Sequence, residues 1–239
     1  MQFHATLLAA ILATVTAAQT LNIPTRAGSI ISLSQPSSIS GSVDFGNKEY
    51  DRGRACNSDA DTGSSSAVFI LANGASISNV IIDAISALGS GNVLIRGGGA
   101  NGATDKVVQH NGKGTVTIEN YTVTSCGKLY RSCGNCSGNA GVRKVVIKNL
   151  KAKGLTSDLI GINSNYGESP PPWDPPPGSQ LIRTSGDTAT ISGSCGSIKK
   201  VCQEYTGIDK TKSSGSSTKL SSTAACLGAQ GKLASLPAC

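Results

Sequence analysis

Residues 92–118 read NVLIRGGGANGATDKVVQHNGKGTVTI, a run in which Val and Ile clusters alternate with glycine-rich turns. Short β-branched clusters bounded by Gly, Asn or Ser are typical of β-strands. No segment of the chain carries the apolar stripe of an amphipathic helix, so the sequence predicts an all-β protein. Similar clusters recur at 67–71, 78–82, 144–147, 159–162 and 188–191.

The spacing of these clusters indicates how the strands are arranged. Val93 and Val116 are 23 residues apart, and Val145 follows Val116 by 29 residues. A repeat in the twenties is typical of a solenoid in which each coil contributes two or three strands. We therefore predict a parallel β-helix. A β-sandwich is the competing architecture, because strand signals alone do not separate the two.

The first eighteen residues are predicted to be a secretory signal, not a part of the fold. Met1–Ala18 has an apolar centre and ends in small residues, which indicates cleavage after Ala17 or Ala18. No other apolar run is long enough to span a bilayer. Residues 19–239 suffice for one domain with its own core. We expect a secreted, extracellular protein that is not anchored in a membrane.

The eight cysteines favour disulfides, since the chain is expected to reach an oxidising compartment. Eight cysteines allow 105 pairings, so the sequence leaves the connectivity open. Cys133-x-x-Cys136 is also the spacing of a redox or zinc pair, but zinc needs further ligands, and histidine is scarce. We favour structural disulfides.

The net charge of +7 indicates an acidic partner. Membranes, nucleic acids and acidic polysaccharides all attract basic proteins. Aromatic residues for base stacking are few and no arginine-rich helix is predicted, which argues against nucleic acid. We expect an extracellular polyanion to be the partner.

Three cations lie within conspicuous local motifs. Lys106 stands in TDKVVQHN (residues 104–111), and Lys128 and Arg131 stand in GKLYR (residues 127–131). Lys106 and Lys128 are 22 residues apart, about one coil, and residues one coil apart can stack on the same face of a solenoid. Spacing alone does not separate catalytic lysines from solvated ones.

The motifs DKVVQHN (105–111) and GKLYRSCGNC (127–136), with Gly46-x-Lys48-x-Tyr50-x-Arg52-Gly53, resemble fungal pectate lyases of polysaccharide lyase family 3. The resemblance extends over roughly 24–82, 83–167 and 187–239. It implies a right-handed parallel β-helix that acts as a monomer. It also implies calcium-dependent β-elimination of de-esterified pectin, or polygalacturonate.

The resemblance also implies roles for the three cations. Eliminating a uronate requires removal of the C5 proton beside a carboxylate, whose charge must be neutralised. Lys106 matches the proton acceptor, Arg131 would hold the substrate carboxylate, and Lys128 would bind substrate and lower the pKa of its neighbour. The role of base could instead belong to Lys128 or Arg131.

The calcium side of the motif is incomplete in this chain. The family has paired acids before Ala-Ile-Ser and a third acid from an earlier turn; here Asp83 matches the second acid and Ile82 replaces the first. The third falls in an apparent deletion at Ile82–Asp83, of roughly 25 residues or one coil. Calcium takes six to eight oxygens, so Asp83 alone is a poor Ca²⁺ site. We expect impaired activity, with a non-catalytic polyuronate-binding β-solenoid as the alternative function and a structural or defence-type solenoid as a further rival.

A proline-rich insertion separates two strand clusters. Residues 168–186 contain six of the nine prolines, and proline disrupts strand ladders. In the family, the residues matching Asn165–Gly167 lead almost directly to those matching Asp187–Ile191. We interpret the insertion as a translated intron, with a genuine proline-rich surface loop as the alternative.

Overall fold

The computed structural model describes residues 21–53, 63–137, 141–165, 186–211 and 213–239. The predicted signal segment 1–18 and almost all of the proline-rich insertion lie outside these ranges, as does Cys56. The strands, in chain order, are β1 (Ile31–Ser32), β2 (Ser37–Ile39), β3 (Ser42–Asp51), β4 (Phe69–Leu71), β5 (Ser76–Ile82), β6 (Ile85–Ala87), β7 (Val93–Asn101), β8 (Lys106–His110), β9 (Gly114–Glu119), β10 (Thr122–Thr124), β11 (Lys128–Ser132), β12 (Arg143–Lys148), β13 (Lys151–Lys153), β14 (Asp158–Asn163), β15 (Thr188–Ser192), β16 (Cys195–Ser197), β17 (Lys200–Thr206), β18 (Thr218–Lys219) and β19 (Cys226–Leu227).

The strands form two long parallel sheets that the chain visits in alternation. Sheet A has the order β1-β3-β5-β7-β9-β12-β15-β19, and a side row β10-β13-β16 continues from the end of β7. Sheet B has the order β2-β4-β6-β8-β11-β14-β17-β18. Every ladder is parallel except β17 with β18. Consecutive turns of the chain thus stack as coils, which confirms the predicted parallel β-helix and excludes the β-sandwich.

The interior is built from side chains that stack from coil to coil. In sheet A, Ile77, Ile95, Ile118, Ile147 and Ile191 are successive register partners. All five are fully buried. Burying a side chain of this size contributes about 1.5–3 kcal/mol relative to leaving it in water. This isoleucine ladder holds each coil in register with the next.

The corner after sheet A requires left-handed backbone. One residue at this corner in each of five successive coils has a φ value between 50° and 65°. These residues are Asn79, Gly97, Asn120, Asn149 and Gly193. Glycine and asparagine tolerate this conformation best. The Nδ2 of Asn149 donates a hydrogen bond to Oδ1 of Asn120 at 3.2 Å. The residue types at this corner therefore follow from the bend.

One coil is shorter than its neighbours. In sheet B, Phe69 pairs with Ile85, 16 residues later, whereas Ile85 pairs with Val108 and Val108 with Tyr130, after 23 and 22 residues. Only Asp83 and Ala84 join β5 to β6. The end of β5 occupies the side row in this coil, where Val80 and Ile81 pair with Gly98 and Gly99 of β7. The coil is therefore short in its connections, and the parallel ladders continue across the junction. Loss of a whole coil relative to the family remains a prediction.

Three disulfides fasten the described part of the chain. Cys133 pairs with Cys136, Cys195 with Cys239, and Cys202 with Cys226. The second ties the last residue of the chain to β16, and the third joins sheet B to sheet A at the last coil. The Cys-x-x-Cys pair is thus a disulfide, as expected. No helix in the described ranges is long and apolar enough to cross a membrane.

Two glycines with similar backbone but different surroundings test the coil-to-coil packing. Gly98 and Gly102 have φ of 85° and 81°. A Cβ at Gly98 would lie 2.0 Å from the Val80 carbonyl oxygen, whereas a Cβ at Gly102 has no atom within 4 Å. Gly102→Ala should cost about 1–2 kcal/mol for the left-handed backbone, and Gly98→Ala should cost about 1–3 kcal/mol more. Denaturant unfolding measures both losses, and equal losses would contradict the packing described.

Candidate active site

Charged side chains line the outer face of sheet B, one from each of four neighbouring coils. Lys106 of β8 and Lys128 of β11 are direct register partners, as are Asp158 of β14 and Lys200 of β17. Lys128 and Asp158 occupy matching positions in adjacent coils, because they lie two residues before Tyr130 and Ile160, which are register partners. We call Lys106, Lys128, Asp158 and Lys200 the charged row. The structure thus brings Lys106 and Lys128 together, as the 22-residue spacing predicts.

The two lysines of the charged row have separate acidic partners. Lys106 forms an ion pair with the adjacent Asp105. The Nζ of Lys128 donates to Ser157 Oγ at 2.7 Å and lies 3.3 Å from Asp158 Oδ1. The Lys106 and Lys128 side chains are 19% and 16% exposed, so both remain partly accessible. Each ammonium is thereby held near the surface by a carboxylate.

Arg131 lies three residues beyond Lys128 on β11, and its side chain crosses Gly161. These two residues are register partners. A Cβ at Gly161 would lie 2.8 Å from Arg131 Cδ and 3.1 Å from Tyr205 Cε2. Any other residue at position 161 would therefore collide with the arginine. Glycine at this point of β14 provides the space that the Arg131 side chain occupies.

The guanidinium of Arg131 is fixed from three sides. It donates to Asn163 Oδ1 at 3.1 Å and to Ser217 Oγ at 2.9 Å, and its Cζ lies 4.0 Å from the centre of the Tyr205 ring. The Nδ2 of the buried Asn163 donates to the Cys133 carbonyl at 2.8 Å, which orients its Oδ1 toward the arginine. Arg131 is thus a preorganised donor.

Burial dominates the electrostatics at this end of the site. Burial lowers the pKa of Arg131, and Tyr205 and Asp158 oppose that change. An arginine nevertheless stays charged at any physiological pH. Burial, followed by the charge of Asp158, raises the pKa of Tyr205. The Tyr205 hydroxyl therefore remains protonated and donates to Asp158 Oδ1 at 3.0 Å.

His110 lies on β8 behind the lysines, within the coil. Its Nδ1 is 2.8 Å from the Tyr130 hydroxyl, and the residue is 1% exposed. Burial lowers the pKa of His110 to about 4, so the ring is neutral near pH 7. A buried neutral ring packed on Tyr130 is a structural element here, and it does not reach the outer face.

Asp83, the predicted metal ligand, stands at the start of the same face. Asp83 occupies the position that matches Lys106 in the next coil, because Asp83 and Lys106 lie two residues before Ile85 and Val108, which are register partners. Burial and, in second place, the charges of Glu49 and Asp51 raise the pKa of Asp83 to about 6. Asp83 therefore belongs to a cluster of like charge.

The neighbouring acids are occupied elsewhere. Glu49 pairs with Arg26 at 2.9 Å, and Asp51 Oδ1 accepts hydrogen bonds from Ser32 and from the Gly53 N–H. Within the described ranges, no group of three or more His, Cys, Asp or Glu side chains could hold a metal ion. The structure therefore gives Asp83 no partners for a cation site among these residues.

The sequence analysis missed several residues of this site. Asp158 carries a signal that could have found it, because it lies 30 residues after Lys128, close to the 29-residue separation of Val116 and Val145. Tyr205, Asn163 and Ser217 carry no such signal, since their roles depend on the fold of the last coils.

Comparison with known proteins identifies the relatives of this chain. The family model described as pectate lyase matches residues 20–89 and 83–170, a division that falls at the short coil. "Probable pectate lyase E" of Neosartorya fischeri is 41% identical over 215 residues, which cover 78% of this chain and 76% of the relative.

Solved structures agree with the sequence match. The catalytic domain of pectate lyase PelI from Erwinia chrysanthemi aligns with a TM-score of 0.54 and 26% identity, over 82% of this chain and 95% of that domain. PelI in complex with tetragalacturonic acid aligns with a TM-score of 0.52 and 25% identity, over 84% and 70%.

The raised pKa of Asp83 predicts a pH dependence of stability. The unfolded chain releases this proton near the ordinary pKa of 3.8, and the folded chain releases it near 6. Between these values the unfolded state binds fewer protons, so this residue lowers the free energy of unfolding as pH rises. The stability of the wild type relative to Asp83→Asn should therefore fall between about pH 4 and pH 6.

Asp44 provides a control of opposite sign. The Gly46 N–H holds the pKa of Asp44 below its usual value, so the stability of the wild type relative to Asp44→Asn should rise with pH. The change for Asp44 falls below about pH 4, so urea unfolding from this acidic range up to pH 7 measures both differences. A wild-type advantage over Asp83→Asn that grows with pH would contradict the buried, like-charged setting of Asp83.

Proposed function

The chain belongs to the pectate lyase family, and we propose that it is secreted and cleaves polygalacturonate at Lys106, Lys128 and Arg131. We call these three residues the cation cluster. As a polysaccharide lyase it breaks a glycosidic bond without water. The observation that carries the site assignment is the direct register of Lys106 with Lys128, next to the fixed guanidinium of Arg131. The likeness to PelI, whose complex contains tetragalacturonic acid, supports the choice of substrate.

The chemistry explains why a site for this reaction needs cations. A base removes the proton on C5 of the uronate, the electron pair forms a C4–C5 double bond, and the C4–O bond breaks. Negative charge develops next to a carboxylate that is already negative. Fixed cations within a partly desolvated groove stabilise that charge, and they need no reorganisation during the reaction.

Each member of the cluster has a proposed role. Lys106 accepts the C5 proton as its neutral amine, which requires the side chain to leave its ion pair with Asp105. The side chain is partly exposed, and Lys128 is its register partner. Arg131 holds the substrate carboxylate, since Asn163 and Ser217 take two of its five N–H donors. Lys128 binds the same substrate from the neighbouring position on β11. If Lys128 or Arg131 is the base instead, Lys106 becomes a binding residue.

Calcium, implied by the resemblance, does not fit the residues described. A Ca²⁺ ion takes six to eight oxygen ligands, and the described residues offer Asp83 beside Glu49 and Asp51, which already bind Arg26, Ser32 and Gly53. In the proposed elimination, the cation cluster therefore carries the stabilisation of negative charge.

A second candidate function is polyuronate binding without cleavage. The shortage of acids around Asp83 favours it, because the cation cluster alone would still attract a uronate chain. Only cleavage releases a fragment with a C4–C5 double bond, and this double bond absorbs in the ultraviolet.

Replacing Lys106 tests the proposed base. Lys106→Ala should lower kcat on polygalacturonate by roughly 10²–10⁴-fold, the usual contribution of a general base, with an unchanged melting temperature. Ultraviolet absorbance of the unsaturated product gives the rate. Lys144→Ala is the matched control, since Lys144 is exposed on sheet A. If Lys106→Ala turns over substrate at the wild-type rate, Lys106 is not the base. If the unmodified protein binds polygalacturonate but releases no unsaturated product, the second candidate function is established.

Calcium titration tests the fit of the metal. With the protein alone, we expect no saturable Ca²⁺ binding tighter than about 1 mM, since a site with few carboxylates is weak. Isothermal titration calorimetry measures it, with Asp83→Asn as the comparison. Tight binding that is lost in Asp83→Asn would show that this residue has ligand partners after all.

A further inference from the structure

Asp158 is a buried carboxylate at the centre of the site, and its side chain is 3% exposed. Its Oδ1 accepts hydrogen bonds from Ser157 Oγ at 2.8 Å and from the Tyr205 hydroxyl at 3.0 Å, and lies 3.3 Å from Lys128 Nζ. Its Oδ2 is also buried, and it forms no hydrogen bond with the residues that the structure describes. Burying a carboxylate with an unsatisfied oxygen costs stability, so packing alone does not explain Asp158.

Tyr205 extends this contact to the other cation. Its hydroxyl donates to Asp158, and its ring lies under the Arg131 guanidinium with 4.0 Å from Cζ to the ring centre. A continuous path therefore runs from Lys128 through Asp158 and Tyr205 to Arg131. The path crosses three neighbouring strands of sheet B, namely β11, β14 and β17.

The path fixes two long side chains that would otherwise move and repel each other. Lys and Arg lose considerable rotamer freedom when they are ordered, and two like charges on one strand disfavour a common direction. Asp158 supplies the opposite charge for Lys128, and Tyr205 supplies a flat surface for Arg131. Lys128 Nζ donates a hydrogen bond to Ser157 and forms an ion pair with Asp158, which leaves N–H donors for substrate.

We propose that Asp158, acting through Tyr205 as well as directly, is a positioning residue that holds Lys128 and Arg131 ready for a substrate carboxylate. Neither Asp158 nor Tyr205 touches the reacting atoms in this arrangement. The proposal rests on the substrate-binding roles proposed above for Lys128 and Arg131.

Asp158→Asn is the principal test, because it removes the charge and keeps the shape. Without the Asp158 charge, Lys128 and Arg131 are no longer held in position, so kcat/KM on polygalacturonate should fall by between about tenfold and a hundredfold. The loss should appear mainly in KM, because Asp158 does not touch the reacting atoms. Asp158→Glu, which restores the carboxylate, should recover part of it.

Tyr205→Phe is the second variant, in case Asp158→Asn does not fold. It removes only the hydroxyl and leaves the ring under Arg131. We expect a smaller loss that appears mainly in KM, because the binding position of both cations is loosened. Tyr121→Phe is the matched control: Tyr121 is fully buried away from the charged row and should show wild-type kinetics.

The outcomes separate the proposal from the function on which it rests. If Lys128→Ala and Arg131→Ala turn over substrate normally, the proposed roles of the cation cluster are wrong. If those variants are inactive while folded Asp158→Asn and Tyr205→Phe keep the wild-type kcat/KM, the positioning role alone is overturned. A raised KM in Asp158→Asn at an unchanged melting temperature, partly recovered in Asp158→Glu, supports it, since a purely structural residue would lower stability instead.

Discussion

In-register stacking of one coil on the next is the constraint on which the rest of this molecule depends. Parallel pairing fixes which residue of a coil lies over which residue of the previous coil, so a single register decides the core and the surface together. The isoleucines from Ile77 to Ile191 meet because of it. Lys106 and Lys128 meet for the same reason on the opposite sheet. Because each coil contacts only its neighbours, a change in one coil mainly affects the coils directly next to it.

The short coil at Ile82–Asp83 illustrates this locality. Only two residues connect β5 to β6 there, yet β6 still pairs with β4 and with β8, so the lysines on β8 and β11 keep their register. What changes is the set of neighbours around Asp83, whose carboxylate is surrounded by the acids of β3. The fold tolerates the short coil, while this one carboxylate is left beside two others, Glu49 and Asp51. Stability and metal chemistry thus respond differently to the same local change.

The sequence sufficed for features that repeat and failed for features that depend on irregular connections. The solenoid was predictable because β-branched clusters recur at one-coil spacing, and the pairing of Lys106 with Lys128 followed because their coil has the regular length. Asp158 was missed because it lies 30 residues after Lys128, an interval that the 22-residue spacing of the lysines does not predict and that only the separation of Val116 and Val145 indicates. Tyr205 reaches Arg131 from β17, two strands away across Gly161 of β14. Ser217 reaches Arg131 because the chain turns back before β18, which lies antiparallel along β17. The disulfide pairs likewise depend on how the last coils close.

The balance of charge around the site explains how two lysines can occupy directly opposed positions. Like charges opposite each other in a sheet are destabilising, and Arg131 on the same strand adds a third positive charge. Asp105 and Asp158 compensate two of these three charges from different directions. Lys200, the last member of the charged row, adds a fourth positive charge beside Asp158, so the cations outnumber these acids by two. Binding of a uronate carboxylate at the cation cluster, as proposed, would reduce this excess and the repulsion within it.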